Sequence, residues 1–226
     1  MKKIIPGNYQ ETLIYAAEHF VNLAKKAIEQ RGAFHVALSG GSTPKALFKM
    51  LSGPPYAKQI DWQKVWIYWS DERCVGPNDP DSNYKMAMDA GLKSLSIPQN
   101  QIFRMEGELD PKEAALRYEA ILPQHFDLIM LGMGDDGHTA SLFPGTAALE
   151  ENSRKVVANY IPQKNSWRLT LTFKCLAENN PVVFYVLGPG KADMVKKVFN
   201  SGDYPASRVE NALWILDAEA AKMVGC

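Results

Sequence analysis

A short apolar run, Phe126 to Leu131, ends abruptly in the glycine-rich segment GMGDDGH. The run shows no helical stripe, which is typical of a strand buried on both faces of a parallel sheet. Comparable runs at Phe34 to Leu38, Val65 to Trp69 and Pro181 to Leu187 alternate with helical patterns, of which Asn8 to Gln30 is the longest. This alternation predicts an α/β fold with a mainly parallel, doubly wound sheet, helices on both faces and right-handed crossovers.

The remaining predicted elements continue this alternation. Capping and proline signals favour helices at Pro44 to Leu51, from Asp81 or Ser82 to Leu92, at Lys112 to Leu122 and after Lys191. Apolar and alternating patterns favour strands at Gln101 to Arg104, Lys155 to Tyr160, Arg168 to Phe173 and Ala212 to Leu216, before a short tail helix. At 226 residues and 46% apolar content, residues 1–226 are expected to form a single domain.

Two acids and a histidine follow the strand predicted at Phe126 to Leu131. Open α/β sheets bind ligands at the carboxyl ends of their strands. An imidazole takes a proton from water near neutral pH when a carboxylate holds its other ring nitrogen. Asp136 and His138 are therefore the candidate catalytic pair.

Three other interpretations of this segment stay open. Asp135 and Asp136 fit the cap of a helix that begins near His138. The letters GMGDDG match the dinucleotide fingerprint, although Pro144 and Gly145 would stop the long helix that it needs within about two turns. A metal site would use the same two acids and the histidine, but no second histidine or cysteine pair lies at ligand spacing, so no metal is expected.

A small, hydroxyl-rich turn follows the strand predicted at Phe34 to Leu38, and a helix follows the turn. Such a turn directs backbone amides, hydroxyls and a helix N-terminus to one point, which suits a phosphate. The Walker pattern is absent, so a nucleoside triphosphate is not implied, and a plain strand-to-helix turn is the alternative. The candidate phosphate-binding residues are Ser39, Gly40, Gly41, Ser42 and Thr43.

Charged residues also follow the strand predicted at Val65 to Trp69. Arg73 is a fixed cation that suits a phosphate or a developing oxyanion. Asp71 is a candidate for contact with substrate hydroxyls or with that arginine, and an internal salt bridge is the alternative. Arg168, at the start of a strand, is more often solvated than functional. Lys191 follows Gly-Pro-Gly at the head of a helix, which aims its ammonium and the helix N-terminus together.

The overall composition limits the classes of partner. With 25 basic and 25 acidic residues, no net field attracts nucleic acid or an anionic membrane. The first residues carry no signal-peptide pattern, and no stretch approaches about 18 apolar residues. The scattered cysteines Cys74, Cys175 and Cys226 suggest a reducing compartment, so a cytoplasmic location is expected.

Four segments, LSGGSTPKALF, WSDERCVGPNDPDSNYKMA, LGMGDDGHTASLFPG and WRLTLT, occur in this order. Together they closely resemble 6-phosphogluconolactonases, over nearly the whole chain. The resemblance implies a modified Rossmann-like fold, shared with glucosamine-6-phosphate deaminases and ribose-5-phosphate isomerases. It also implies hydrolysis of 6-phosphoglucono-δ-lactone to 6-phosphogluconate in the pentose phosphate pathway, without a metal or other cofactor.

The resemblance further implies roles for individual residues. By this resemblance His138 is the catalytic histidine, Asp136 its orienting acid, Ser39 to Thr43 the phosphate loop and Arg73 the loop arginine. Similarity to the related deaminases extends phosphate binding to Arg168 and Lys191. Where the deaminases carry an acid in a stretch ending Asn-Glu-Pro, this chain has Leu142-Phe143-Pro144, which favours the lactonase. The expected partner is a small phosphosugar lactone, and the expected state is a monomer or weak homodimer.

Overall fold

The computed structural model describes residues 1–178 and 180–225. Within these ranges the chain forms nine strands: β1 (Lys2–Ile4), β2 (Phe34–Leu38), β3 (Val65–Trp69), β4 (Asp71–Arg73), β5 (Leu128–Leu131), β6 (Val156–Ile161), β7 (Ser166–Leu171), β8 (Val182–Val186) and β9 (Leu213–Leu216). The same ranges contain seven α-helices: α1 (Tyr9–Arg31), α2 (Ser42–Leu51), α3 (Asn83–Asp89), α4 (Pro111–Ala120), α5 (Phe173–Ala177), α6 (Ala192–Asn200) and α7 (Ala218–Ala221). Cys226, one of the three cysteines considered above, lies outside the described residues.

Six of the strands form one parallel sheet in the order β1-β9-β8-β5-β2-β3. The chain steps from β2 to β3 on one side and from β5 through β8 to β9 on the other. The ends of β2 and β5 therefore flank a topological switch point, where open α/β sheets bind ligands. The loops that begin at Ser39 and Gly132 leave the sheet at this point.

Both faces of the parallel sheet are covered, which explains the continuous apolar runs in the sequence. Val36 and Leu38 of β2 belong to the core on one face, together with residues of α1 and α2. Ala37 of β2 and Ile129 and Leu131 of β5 belong to the core on the other face, together with residues of α4 and α6. The predicted doubly wound α/β fold is confirmed.

A second, antiparallel sheet has the order β4-β7-β6 and packs into the core that contains α4 and α6. Its strand β4 follows β3 after the single residue Ser70. The sequence indicated only that residues 71–73 end a strand. They form a separate strand, because Asp71 pairs with Thr170 and Arg73 pairs with Arg168 of β7.

Local signals fix the longest helix where the sequence predicts it. Asn8 caps α1 by accepting a hydrogen bond from the amide of Glu11, and the Asn8 amide in turn donates one to the Glu11 carboxylate. This reciprocal pair satisfies two amides that the first turn leaves unpaired. Gly32 ends the helix at φ 77°, a left-handed conformation that glycine adopts without strain.

One predicted strand is wrong, and several predicted boundaries are shifted by two or three residues. The segment predicted as a strand at Gln101 to Arg104 forms a single bridge, Ile102 to Ile67, and its first residue belongs to the tight turn Gln99–Gln101. The helix capped by Ser82 ends at Asp89 and not at Leu92. Gly91, at φ 131°, interrupts it.

The strand predicted at Arg168 to Phe173 ends at Leu171. The Thr172 side chain accepts a hydrogen bond from the Cys175 amide and so begins α5. Short capping residues of this kind compete with strand pairing, because their side chains offer the backbone another partner. Among the residues described, no helix is both long and apolar enough to cross a bilayer.

Candidate active site

The loops after β2, β5 and β8 meet strand β4 around one cavity of about 200 Å³. Asp136 does not line this cavity but is hydrogen-bonded to the His138 ring, which does. Arg168 neighbours Arg73 in the small sheet but does not line the cavity. The other predicted site residues do line it: Ser39, Gly40, Gly41, Ser42, Thr43, Asp71, Arg73, His138 and Lys191. The structure thus joins groups from four separate parts of the chain.

The hydroxyl-rich turn of residues 39–43 leads directly into helix α2, which begins at Ser42. Gly41 is the residue before that first turn and has φ 105°. Because glycine has no side chain to cap the helix, the first amides of α2 remain for a ligand. The helix begins two residues before Pro44, the predicted start, which brings Ser42 and Thr43 into its first turn.

Gly40 gives the turn room to pack against Asn83, a residue that the sequence did not single out. A Cβ at Gly40 would lie 2.0 Å from Asn83 Oδ1. The side-chain amide of Asn83 donates to the backbone carbonyl of Asp71 over 3.0 Å. Asn83 also lines the cavity. Asn83 therefore links the phosphate-type turn to strand β4, and only its position after a proline- and asparagine-rich loop could have marked it.

His138 and Asp136 form a direct pair. Nδ1 of His138 lies 2.5 Å from Oδ1 of Asp136, and the His138 amide donates to the same oxygen over 3.1 Å. Burial would raise the pKa of the Asp136 carboxyl, but the charge and hydrogen bonds of His138 outweigh it and lower that pKa. Because Asp136 engages Nδ1, Nε2 is the ring nitrogen available to a water in the cavity.

The helix-cap and dinucleotide interpretations of the segment are wrong. The chain after His138 turns back on itself, with a bridge between Thr139 and Leu142 and a positive φ of 46° at Ala140. No α-helix occurs within the described chain between β5 and β6, so neither a cap nor the long fingerprint helix exists there. The glycines instead form a compact loop, in which the Gly134 amide donates to the His138 carbonyl over 2.9 Å.

Asp71 is buried at the cavity edge and has a defined partner. The Ser141 hydroxyl donates to Asp71 Oδ2 over 2.8 Å, and the Ser141 amide donates to the Thr170 hydroxyl over 3.0 Å. Ser141 therefore joins the histidine loop to the small sheet. Sequence reasoning missed Ser141, because 70 residues separate it from Asp71.

Arg73 projects from β4 and is steadied by backbone. Its Nη1 donates to the carbonyl of Asp81 over 2.6 Å. Among the described residues no ion pair involving Arg73 is formed, so the internal salt bridge considered from the sequence is absent there. Glu72 fixes the segment that follows Asp81 by accepting hydrogen bonds from the backbone amides of Asn83 and Tyr84.

Arg168 lies opposite Arg73 in the β4–β7 ladder, so both side chains project from the same face of the small sheet. Burial and the charge of Arg73 lower the pKa of the Arg168 guanidinium, while Asp71 opposes this effect. Two neighbouring cations of this kind suit an anion. The ladder thus places a second cation beside Arg73, although Arg168 does not itself line the cavity.

Lys191 reaches the cavity from the turn after β8. Its Nζ lies 2.6 Å from Oδ1 of Asp135, and the Asp135 side chain is 87% exposed. Helix α6 begins directly after Lys191. The Lys191 ammonium is therefore held at the cavity rim by the solvent-exposed carboxylate of Asp135.

Phe143 is the third residue that the sequence did not assign to the site. Its ring stacks on the His138 imidazole with 3.8 Å between ring centroids. An apolar residue of this kind is assigned to the core from sequence alone, and Phe143 is indeed buried.

As for metals, the part of the chain that the structure describes contains no group of three or more His, Cys, Asp or Glu residues arranged to hold an ion.

An imidazole–carboxylate pair beside a glycine- and hydroxyl-rich turn, at the switch point of a parallel sheet, is an arrangement typical of α/β enzyme sites. Residues 8–215 match the sequence profile of the family described as glucosamine-6-phosphate isomerases/6-phosphogluconolactonase. The chain belongs to this family.

Individual relatives agree with the family assignment. The chain is 40% identical to a 6-phosphogluconolactonase from Chlamydia muridarum, over 98% of this chain and 90% of that protein. Among solved structures, the devB protein is 33% identical with a TM-score of 0.89, and the match covers 99% of both chains. A 6-phosphogluconolactonase from Trypanosoma cruzi is 25% identical with a TM-score of 0.85, covering 100% of this chain and 97% of the other. The Rossmann-like fold and the enzyme class follow from these similarities.

Proposed function

We propose that this chain hydrolyses 6-phospho-D-glucono-1,5-lactone to 6-phospho-D-gluconate, in the oxidative branch of the pentose phosphate pathway. The observation that carries the proposal is the contact between His138 and Asp136, 2.5 Å apart, at the cavity that residues 39–43 also line. The 40% identity to the Chlamydia muridarum 6-phosphogluconolactonase supports the same substrate.

In this proposal the substrate phosphate binds the turn of residues 39–43. Backbone amides at the start of α2, with the hydroxyls of Ser39, Ser42 and Thr43, satisfy the phosphate oxygens. Lys191 supplies a cation at the cavity rim, and Arg168 adds positive charge from its position beside Arg73 in the small sheet. Fixing the phosphate at one end leaves the lactone ring to extend toward His138.

His138 then acts as general base. Its Nε2 takes a proton from water, the resulting hydroxide attacks C1, and the carbonyl electrons move to the oxygen, which becomes an oxyanion. Arg73 stabilises this charge, and Asp136 stabilises the imidazolium. When the oxyanion collapses, the bond between C1 and the ring oxygen breaks, and the imidazolium returns its proton to that oxygen. The product carries a carboxylic acid that ionises in water.

The rate that these groups supply is sufficient for a reactive lactone. A positioned general base typically contributes about 10²–10⁴-fold, and loss of one oxyanion donor typically costs about 10²–10³-fold. In the proposal Asp71 contacts a hydroxyl of the sugar ring, held in place by Ser141. The mechanism uses no metal and no organic cofactor.

Three further expectations belong to the same proposal. The free thiols of Cys74 and Cys175 support a cytoplasmic location, because disulfides are rare there. The balanced charge of 25 basic and 25 acidic residues supports a small-molecule partner, with neither nucleic acid nor membrane. The enzyme is expected to act as a monomer or a weak homodimer.

The direct test generates the lactone by oxidising glucose 6-phosphate and follows its disappearance against spontaneous hydrolysis. Glucosamine 6-phosphate is tested in parallel for ammonia release. Acceleration with the lactone alone supports the proposal. Ammonia release instead would indicate a deaminase. Tight binding of 6-phosphogluconate in a calorimeter, without turnover of either compound, would indicate a sugar-phosphate-binding protein that is not an enzyme.

A further inference from the structure

Two side chains, those of Phe143 and Asp136, and the backbone of Gly134 enclose the imidazole of His138. The Phe143 ring covers one face, with 3.8 Å between centroids and 18° between the ring planes. Asp136 holds Nδ1 along the ring edge at 2.5 Å. A Cβ added at Gly134 would lie 2.1 Å from both Cε1 and Nδ1 of the imidazole, so the ring lies directly against the Gly134 backbone. We call these three contacts the imidazole slot.

We infer that Phe143 and Gly134 are positioning residues that set the plane of the His138 imidazole for proton transfer. The inference deepens the proposed function, because it rests on His138 acting as the base. A single hydrogen bond at Nδ1 leaves the ring free to rotate about its side-chain bonds, and a stacked ring removes that freedom. A misplacement of about 1 Å costs on the order of 10²-fold in rate, so the plane of the base matters.

The Phe143 wall of the slot is itself fixed. Its side chain is 5% exposed. Its carbonyl accepts a hydrogen bond from the Thr146 hydroxyl over 2.8 Å, and the Thr146 hydroxyl accepts one from the Asn159 side-chain amide over 2.9 Å. This chain of bonds ties Phe143 to strand β6. The stacking surface therefore has a rigid base in the small sheet.

The Gly134 wall is fixed by the loop itself. The Gly134 amide donates to the His138 carbonyl over 2.9 Å, and the Gly137 amide donates to the Gly134 carbonyl over 3.1 Å. Gly137 has a positive φ of 78°, but Gly134 is not among the positive-φ glycines. The requirement for glycine at position 134 is therefore space for the ring, and alanine there tests that space without backbone strain.

The first test compares Phe143→Leu with Phe126→Leu. Phe126 is equally buried but packs edge-on against Tyr68, outside the cavity. Phe143→Leu is expected to lower kcat about tenfold, with KM changed less than about twofold, because phosphate binding is untouched. Both substitutions should lower the melting temperature by similar amounts, but Phe126→Leu should keep the wild-type kcat. Phe143→Tyr, which retains the ring, should recover most of the kcat.

A spectroscopic readout separates positioning from general stability. The ring current of Phe143 shields the carbon-bound protons of the His138 imidazole, whose signals are assigned among the four histidines with a His138→Gln variant. In Phe143→Leu these signals should move downfield, and in Phe126→Leu they should stay. This readout needs no substrate, so it remains valid if the lactone proves to be the wrong compound.

The second test uses Gly134→Ala, with Gly202→Ala as control. An added Cβ at Gly202 meets nothing within 4 Å, and Gly202 is likewise absent from the positive-φ glycines. Gly134→Ala is expected to displace the ring and lower kcat at least tenfold, while Gly202→Ala keeps kcat. Wild-type kcat and unshifted imidazole signals in both Phe143→Leu and Gly134→Ala would overturn the inference. If instead wild type does not turn over the lactone but the imidazole signals shift as expected, the slot stands and the proposed function fails.

Discussion

Nζ of Lys191 lies 2.6 Å from Oδ1 of Asp135, immediately before the acid that holds His138. Two consecutive carboxylates thus contact two candidate site residues: Asp135 contacts Lys191, the candidate phosphate-binding cation, and Asp136 contacts His138, the candidate base. Because Asp135 is 87% exposed, its ion pair adds little to stability. In the proposed mechanism this ion pair affects binding, since a substrate phosphate would share or replace Asp135 as the partner of Lys191.

Lys191→Gln is expected to raise KM for the lactone about tenfold while kcat stays within about twofold. A hydrogen bond to a charged group contributes about 1.5–3 kcal/mol, and this one is made equally in the ground and transition states. Steady-state kinetics measure both constants. Lys196→Gln, an exposed position on the helix that follows Lys191, is the control. An unchanged KM in Lys191→Gln would remove Lys191 from the binding site.

Asp135→Asn is expected to have the opposite effect. Without the carboxylate, Lys191 is released to the phosphate, so the dissociation constant of 6-phosphogluconate should fall about twofold to fivefold, in line with the weak energy of an exposed ion pair. Calorimetry at low and high salt checks this, because the gain should shrink as salt screens the charges. A weaker affinity would mean that Asp135 orients Lys191 and does not compete for it.

Arg73→Lys is expected to lower kcat about 10- to 100-fold, because lysine lacks the planar donor fork that stabilises an oxyanion. KM should change far less, since the oxyanion exists only in the transition state. Arg104→Lys is a matched control, because Arg104 pairs with Glu108 outside the cavity. If Arg73→Lys changed KM alone, Arg73 would belong to ground-state binding.

Ser141→Ala removes the hydroxyl that donates to the buried Asp71 carboxylate over 2.8 Å. A buried charged acceptor that loses a partner costs about 1–3 kcal/mol, and the free energy of unfolding in urea should fall by this amount. Ser94→Ala serves as control, because the Ser94 hydroxyl is exposed and donates to the nearby Gly91 carbonyl. Equal stability of the two variants would show that the Asp71 carboxylate does not depend on Ser141.

Asp136 makes stability depend on pH with a definite sign. The folded protein lowers the pKa of this carboxyl below its ordinary 3.8, so the ionised form contributes stability that is present above 3.8 and is lost as pH falls through the lowered pKa. The difference in free energy of unfolding between wild type and Asp136→Asn should therefore be larger at about pH 7 than at about pH 3. Denaturant titrations at both values measure it, and a difference that grew on acidification would contradict the sign.

The fold could be predicted because its signals are local. The runs at Phe34–Leu38 and Val65–Trp69 match the observed strands residue for residue, since burial on both faces leaves a short apolar stretch that polar residues follow. The segment at Gln101 to Arg104 has the composition of a strand but makes a single bridge to β3, at Ile102. Pairing with a neighbour decides whether an extended segment is a strand, and the sequence does not state the neighbour.

The site was predictable where chemistry lies next to a strand end and unpredictable where distant segments meet. The turn of residues 39–43 and the loop of His138 follow buried strands, so their meeting at the switch point follows from topology. The Ser141–Asp71 bond spans 70 residues, and the Arg73–Arg168 pairing depends on the register of the small sheet. From the sequence Phe143 is predicted to be a core residue, because no sequence pattern distinguishes a phenylalanine that stacks on a histidine from one that packs in the core.

The most direct measurement follows disappearance of the lactone with wild type, His138→Ala and no protein in parallel. The account predicts acceleration by wild type, a loss of about 10²–10⁴-fold in kcat for His138→Ala, and an affinity of both proteins for 6-phosphogluconate that agrees within about twofold. Hydrolysis by His138→Ala at the wild-type rate would contradict the account, because the base would then lie elsewhere.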